Sequence, residues 1–164
     1  MNIRYRKLLS EESKIYRNIR LESLQKFSES FGVSYEEAAK NEKLRIEFDI
    51  ENQTKERFVV GAFHEKKLIG ICTFIKDEND KGNIYQMYVQ SAFQDNNIGA
   101  CLIKKTIEET NKNFGVIDIF LEVKVTNLKA YHLYKKLGFV EINENSESEN
   151  NPIILMKYSP THEP

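Results

Sequence analysis

Apolar positions recur along this chain in two rhythms. Runs at residues 3–9, 58–63, 68–75, 84–89, 116–125, 139–142 and 152–158 alternate or are continuously apolar and rich in β-branched and aromatic side chains, which predicts strands. A spacing of three and four predicts helices elsewhere. Ile15, Ile19, Leu21 and Leu24 mark one to about residue 25, with Ser10 as its cap and Glu11 and Glu12 in its first turn. Phe31 and Gly32 break the pattern. Ser34 followed by Glu37 is a capping-box signature, so a second helix is predicted over residues 35–48. The runs 58–63 and 68–75 are joined by the four-residue connection 64–67, and the second is apolar on both faces, as in a strand covered on both sides. A polar turn at 77–82 leads into 84–89, completing an antiparallel meander. Ile98, Leu102, Ile103 and Ile107 then share one helical face until Gly115. Asn127 caps a short helix carrying Ala130, Leu133, Tyr134 and Leu137, closed by Gly138. Residues 143–151 are mainly polar or acidic and predict a solvated loop, and 159–164 predict a frayed end.

Composition narrows the class. A chain of 164 residues with 40% apolar and 30% charged positions has the make-up of one globular domain. A net charge of −1 with both signs interspersed makes no electrostatic case for nucleic acid or an anionic membrane as partner. No apolar run has membrane-spanning length, and the first residues enter a strand pattern instead of a leader peptide, so a cytoplasmic protein is expected. Cys72 and Cys101 sit among apolar residues and read as buried free thiols. His64, His132 and His162 are scattered without ligand spacing, and no metal is expected.

The stretch 84–105 carries the chemistry. A strand, a polar loop and a helix start follow one another, and the first turn of a helix offers unpaired N–H groups and the positive end of its dipole to an anion. The loop lacks the Gly-Lys-Ser/Thr ending of a P-loop and the three glycines of a dinucleotide fold.

Two stretches resemble the GNAT superfamily of acetyl-coenzyme A dependent N-acetyltransferases. One is Gln94-Asp-Asn-Asn97-Ile-Gly99, which follows the family's loop pattern except that Asn97 stands where a glycine is usual. The other is Leu121-Glu-Val123 followed by Asn127-x-x-Ala130-x-x-Leu133-Tyr134-x-x-Leu137-Gly138-Phe139, which is similar to the second core motif throughout. The likeness covers about residues 82–139, and Arg20-Leu-Glu-Ser-Leu24 and Phe31-Gly32 add to it.

What the resemblance implies is an α+β (mixed α/β) fold. A mostly antiparallel sheet of about seven strands would be flanked by helices, in the order strand, two helices, three strands, helix, strand, helix, two strands. It implies acetyl-coenzyme A as co-substrate and an amine of a small molecule or a protein as acceptor, with a homodimer left open. Met87, Tyr88 and Val89 would bond the cofactor arm through their backbone. The loop Gln94, Asp95, Asn96, Asn97, Ile98, Gly99 and Ala100 would hold the diphosphate. Asn tolerates a left-handed backbone better than other non-glycine residues, so Asn97 should be accommodated.

Tyr134 would protonate the departing thiolate, Asn127 would both cap its helix and bond the arm, and Tyr131 would pack on the cofactor or on the sheet. The strand before the loop has Tyr85 and Gln86 where some relatives have a glutamate, leaving Glu122 as candidate base or a plain solvated carboxylate. Arg17, Arg20, Glu22, Glu36, Glu37 and the acidic run 144–149 are expected to be exposed around the acceptor, a faint pointer to a cationic one. The alternative is a regulatory domain that binds acyl-coenzyme A without turnover, motivated by Asn97 and the missing strand glutamate.

Overall fold

The computed structural model describes residues 1–31, 34–142 and 152–160. Strand β1 (Ile3–Lys7) leads through a 3-10 turn (Ser10–Glu12) to α1 (Ser13–Phe31), α2 (Tyr35–Lys40) and α3 (Arg45–Asn52). The meander follows as β2 (Arg57–His64), β3 (Lys67–Lys76) and β4 (Gly82–Val89). After a second 3-10 turn (Ser91–Phe93) come α4 (Ile98–Phe114), β5 (Ile119–Lys124), α5 (Leu128–Lys136), β6 (Val140–Glu141) and β7 (Ile153–Tyr158). The strands form one seven-stranded sheet in the order β1-β2-β3-β4-β5-β7-β6, in which β4 and β5 run parallel and every other neighbouring pair is antiparallel. This is the mixed, mostly antiparallel architecture that the sequence predicts.

Alternation along the strands gives the sheet two cores. On one side Ile84, Ile98, Leu102, Ile103, Leu121, Val123, Phe139 and Met156 pack together under α4 and α5. On the other, Leu8, Tyr16, Ile19, Ile46, Ile50, Val59, Ile71 and Tyr88 pack under α1 and α3. The predicted stripe of α4 is fully in place, with Ile98, Leu102, Ile103 and Ile107 all buried. So is the two-faced burial of β3, from Leu68 to Phe74.

Several boundaries differ from expectation. The helix predicted over 35–48 is two helices, because Arg17 Nη2 donates to the carbonyl of Asn41 (2.6 Å) and so satisfies a carbonyl at the end of α2. The chain then restarts at Leu44, whose N–H is met by the Glu47 carboxylate (2.6 Å). Helix α1 continues past residue 25 to Phe31 through an irregular Phe27 (φ −135°, ψ 38°), whose ring meets that of Tyr88 edge-on. Ser10 is not a cap: its hydroxyl donates to the carbonyl of Glu51 (2.8 Å), while Glu12 takes the N–H of Leu9. β1 is shorter than 3–9 and β5 shorter than 116–125, Val116 being exposed. β6 shrinks to two residues because Phe139 turns into the core. The predicted loop 143–151, its acidic run and the Gly32 break lie outside the described residues.

Candidate functional site

The site begins with a defect in β4. The β3–β4 register passes from Ile71 opposite Tyr88 to Thr73 opposite Tyr85, so β4 carries one extra residue. Gln86 absorbs it in a left-handed conformation (φ +54°). Its side-chain oxygen accepts from the hydroxyls of Tyr16 (2.7 Å) and Thr73 (3.0 Å), which pins the bulge to α1 and β3. A bulge bends and twists its strand. Accordingly β4 and β5 pair only at Gly82–Ile119 and Asn83–Phe120, then splay, leaving a cleft of about 720 Å³.

Met87, Tyr88, Val89, Gln94, Glu122, Asn127 and Tyr134 all line that cleft, so seven of the residues singled out from sequence converge on it. The loop that follows is locked by its own amides. Gln94 Nε2 donates to the carbonyl of Val89 (3.0 Å), and Asn96 Nδ2 to those of Phe93 and Gln94 (3.1 Å each). Asp95 (φ +67°) and Asn97 (φ +64°, ψ 15°) are both left-handed, and Asn97 is the residue from which α4 starts. The expected tolerance of asparagine is thus the conformation adopted. Buried Ile98 and Ala100 anchor the first turn, and a Cβ at Gly99 would lie 3.0 Å from the Met87 methyl. The free N–H end of α4 therefore sits directly after the open edge of β4. Asp95 is paired with Lys129 of α5, which offsets its negative charge. Asn97 and Ala100 also border a groove of about 620 Å³ between α4 and α5, which carries Lys104 and Lys136.

Across the cleft, Tyr134 is buried on α5. Burial, then the neighbouring Cys72, raises its pKa above the ordinary phenol value, and burial pushes the Cys72 thiol up to about 12. Asn127 Oδ1 accepts the N–H of Ala130 (3.2 Å), the predicted cap. Glu122 is exposed on β5, and its charge adds to burial in raising the pKa of Tyr85. Tyr131 does not line the cleft; it packs against the core under α4 and α5, and its hydroxyl donates to Glu141 (3.0 Å).

The residues expected to be exposed around the acceptor are corrected in part. Arg20 is only 7% exposed and lines the cleft. Arg17 is half-buried against the fully buried Glu47 (2.9 Å). Glu22 is half-buried, accepting from Tyr88 Oη (2.6 Å) and Gln90 Nε2 (3.0 Å). Burial, then that bond to Glu22, raises the Tyr88 pKa. Glu36 and Glu37 are exposed. Sequence reasoning missed Tyr16, the part Gln86 plays in the bulge and the burial of Arg20. Residues 16, 19, 20 and 23 sit at the i, i+3, i+4, i+7 spacing of a buried stripe, so polar side chains on an apolar face were the available signal. Among the described residues no cluster of His, Cys, Asp or Glu is arranged to hold a metal ion.

The splayed strands, the loop and the helix start define a fold with many solved counterparts. The model of the acetyltransferase (GNAT) family matches residues 21–139, and the chain belongs to that family. It is 32% identical over 62 residues to an N-alpha-acetyltransferase of Sulfurisphaera tokodaii, covering 38% of this chain and 37% of the relative. It is 34% identical over 62 residues to a ribosomal protein alanine N-acetyltransferase of Escherichia coli strain K12, covering 38% and 41%. The matches thus span well under half the length of these curated relatives. The crystal structure of a PaiA N-acetyltransferase from Thermoplasma acidophilum in complex with coenzyme A superposes with a TM-score of 0.75, at 20% identity over 98% of this chain and 100% of that one. Among the described residues, no helix is long and apolar enough to cross a membrane.

Proposed function

We propose that the chain is an N-acetyltransferase that moves the acetyl group of acetyl-coenzyme A to a primary amine of a small molecule or protein. The observation that carries the reading is the junction itself: the unpaired edge of β4 runs into a left-handed turn at Asn97 and then into the N-terminus of α4. An extended amide-bearing arm is complementary to the first, and a diphosphate to the second. The residues fit the cofactor. The backbone of Met87, Tyr88 and Val89 would meet the arm, residues 94–100 the diphosphate through N–H groups, and Asn127 the arm from α5. The adjoining groove is lined by Lys104 and Lys136 together with Glu108, a net positive lining for further phosphate.

Bound acetyl-coenzyme A supplies an activated thioester. Tyr134 would donate its hydroxyl proton toward the leaving sulfur. In water this transfer runs uphill, since a phenol near 10 is a weaker acid than a thiol at about 8.5. Burial raises both kinds of acid, however, and the Cys72 thiol beside Tyr134 reaches about 12. Burial raises the Tyr134 phenol as well, so it is the desolvated leaving thiolate, a stronger base than in water, that must draw the proton. The N–H of Val89, which faces the open edge of β4, would stabilise the oxyanion, the Tyr88 N–H being directed to β3. Glu122 stands as candidate base, or as a solvated carboxylate that attracts the ammonium form of the acceptor. The attacking amine must lose its proton, and a chain of waters is the other route by which it can leave.

The test is thiol release from acetyl-coenzyme A with a panel of amines, alongside calorimetry with coenzyme A. Heat of binding together with release for at least one acceptor is expected. Absence of binding heat would overturn the cofactor assignment, and binding without release for any acceptor would favour a regulatory acyl-coenzyme A domain.

A further inference from the structure

Beyond Asn83 the edge of β4 that faces β5 has no partner strand, so no ladder bond steadies it from the cleft side. On that edge the Val89 carbonyl is taken by Gln94 Nε2 (3.0 Å), while the Val89 N–H is directed to the cleft. On the opposite edge the N–H of Gln90 donates to the Ile69 carbonyl at the start of the β3 pairing (2.9 Å). Alternation turns Val89 toward the core under α4 and α5, and its neighbours Tyr88 and Gln90 toward α1. There one carboxylate meets both neighbours. Glu22 accepts from Tyr88 Oη on one oxygen (2.6 Å) and from Gln90 Nε2 on the other (3.0 Å). Phe27, further along α1, lays its ring edge-on against that of Tyr88, with centroids 6.0 Å apart.

Resting on the transferase reading above, we infer that Glu22 is a positioning residue for acetyl transfer. By gripping the side chains on both sides of Val89, it holds the Val89 N–H in line with the carbonyl of the bound thioester. Two acceptor oxygens on one planar group suit two donors projecting from the same strand face, and their charge strengthens both bonds. A grip at two points resists rotation of the peptide between them, whereas a single bond would leave a hinge. A donor fixed before charge develops needs no reorganisation at the moment of reaction. The thioester carbonyl asks little of that donor in the ground state and much in the transition state, so a misplaced N–H slows turnover more than it weakens binding. Neither Glu22 nor Gln90 lines the cleft, so both act through the strand and not by touching substrate.

The experiment exchanges the partners. E22Q keeps the shape and one acceptor oxygen but sets an amide donor against the donor of Gln90, and E22Q/Q90E restores a donor and acceptor pair in reverse. In E22Q kcat should fall about ten- to hundredfold, with KM for acetyl-coenzyme A and the heat of coenzyme A binding within about twofold of wild type. In E22Q/Q90E most of the lost kcat should return. Acetyl-coenzyme A labelled with 13C at the thioester carbonyl gives a direct signature, because a hydrogen bond to that oxygen moves the carbon resonance downfield. The downfield shift on binding should be present in the wild type, reduced in E22Q and regained in E22Q/Q90E. Wild-type kcat in E22Q, an unaltered carbonyl resonance, or a loss confined to coenzyme A affinity would overturn the proposal. So would a kcat that stays low in the double variant. Should E22Q not fold, Q90A, which leaves Glu22 in place, decides: wild-type kcat and carbonyl resonance there overturn it. If the wild type binds coenzyme A but releases no thiol with any amine, the transferase reading fails by itself. The carbonyl resonance then still decides the grip, which a shift reduced in E22Q sustains and an equal shift overturns.

Discussion

The two sides of the sheet are stabilised by different chemistry. Under α4 and α5 the core is aliphatic and aromatic, and its two fully buried threonines, Thr106 and Thr110, simply donate to the carbonyls of Leu102 and Thr106 one turn back (2.8 Å each). Under α1 and α3 the core encloses Ser13, Arg20, Ser23, Thr73 and Glu47, and there Ser13 donates to Glu51 (2.6 Å), Thr73 to Gln86 (3.0 Å) and Arg17 to Glu47 (2.9 Å), each bond joining side chains distant in sequence. The first arrangement depends on pattern: any well-packed apolar set delivers the same main-chain junction at the helix start. The second depends on identity, because a buried polar group that loses its partner costs more than the bond was worth. On the function proposed above, the first side would serve a common donor and the second would select a particular acceptor.

Substitutions can break this contrast, the largest effect first. Glu47 is fully buried and takes hydrogen bonds from Arg17, Lys14 and the backbone of Leu44. E47A should lower stability by about 3–5 kcal/mol, as removing one partner of a buried ion pair does. The check is a fall in the urea midpoint with little change in slope. Y134F alters the opposite side by a single oxygen atom. It should lower kcat by about a hundredfold, in the range of a lost general acid, while leaving the urea midpoint and coenzyme A affinity close to wild type. If turnover were undiminished, the phenol would not be the acid. The mildest case is N97A, which puts a Cβ without a locally bonding amide into a left-handed position and should cost about 1 kcal/mol. N97G should match or slightly exceed the wild-type melting temperature. Were N97A neutral, the turn would not be holding Asn97 as described.

Much of the cofactor side was legible in the sequence. The stripe on α4, the caps at Asn127 and Gly138 and the strand-loop-helix order depend on local rules of periodicity and capping that a linear reading captures. The acceptor side was less so. That Gln86 would turn left-handed follows from a register shift against β3, and its stabilising partner Tyr16 lies 70 residues away. Arg20 and Arg17 looked solvent-directed because charged residues usually are; only the packing of α1 against α3 and β3 reveals otherwise. The split between α2 and α3 was missed for a similar reason, since the carbonyl of Asn41 is satisfied by Arg17 from another helix.

The brevity of the β4–β5 ladder has a mechanical side. Two residue pairs fasten a four-strand plate to a three-strand plate at one corner, leaving a notch that runs toward the far edge. A slender molecule lodged in that notch would bridge both plates and act as the missing rungs. The stiffness of the sheet would then rise and fall with occupancy, so each departure of product would loosen the frame for the next arrival.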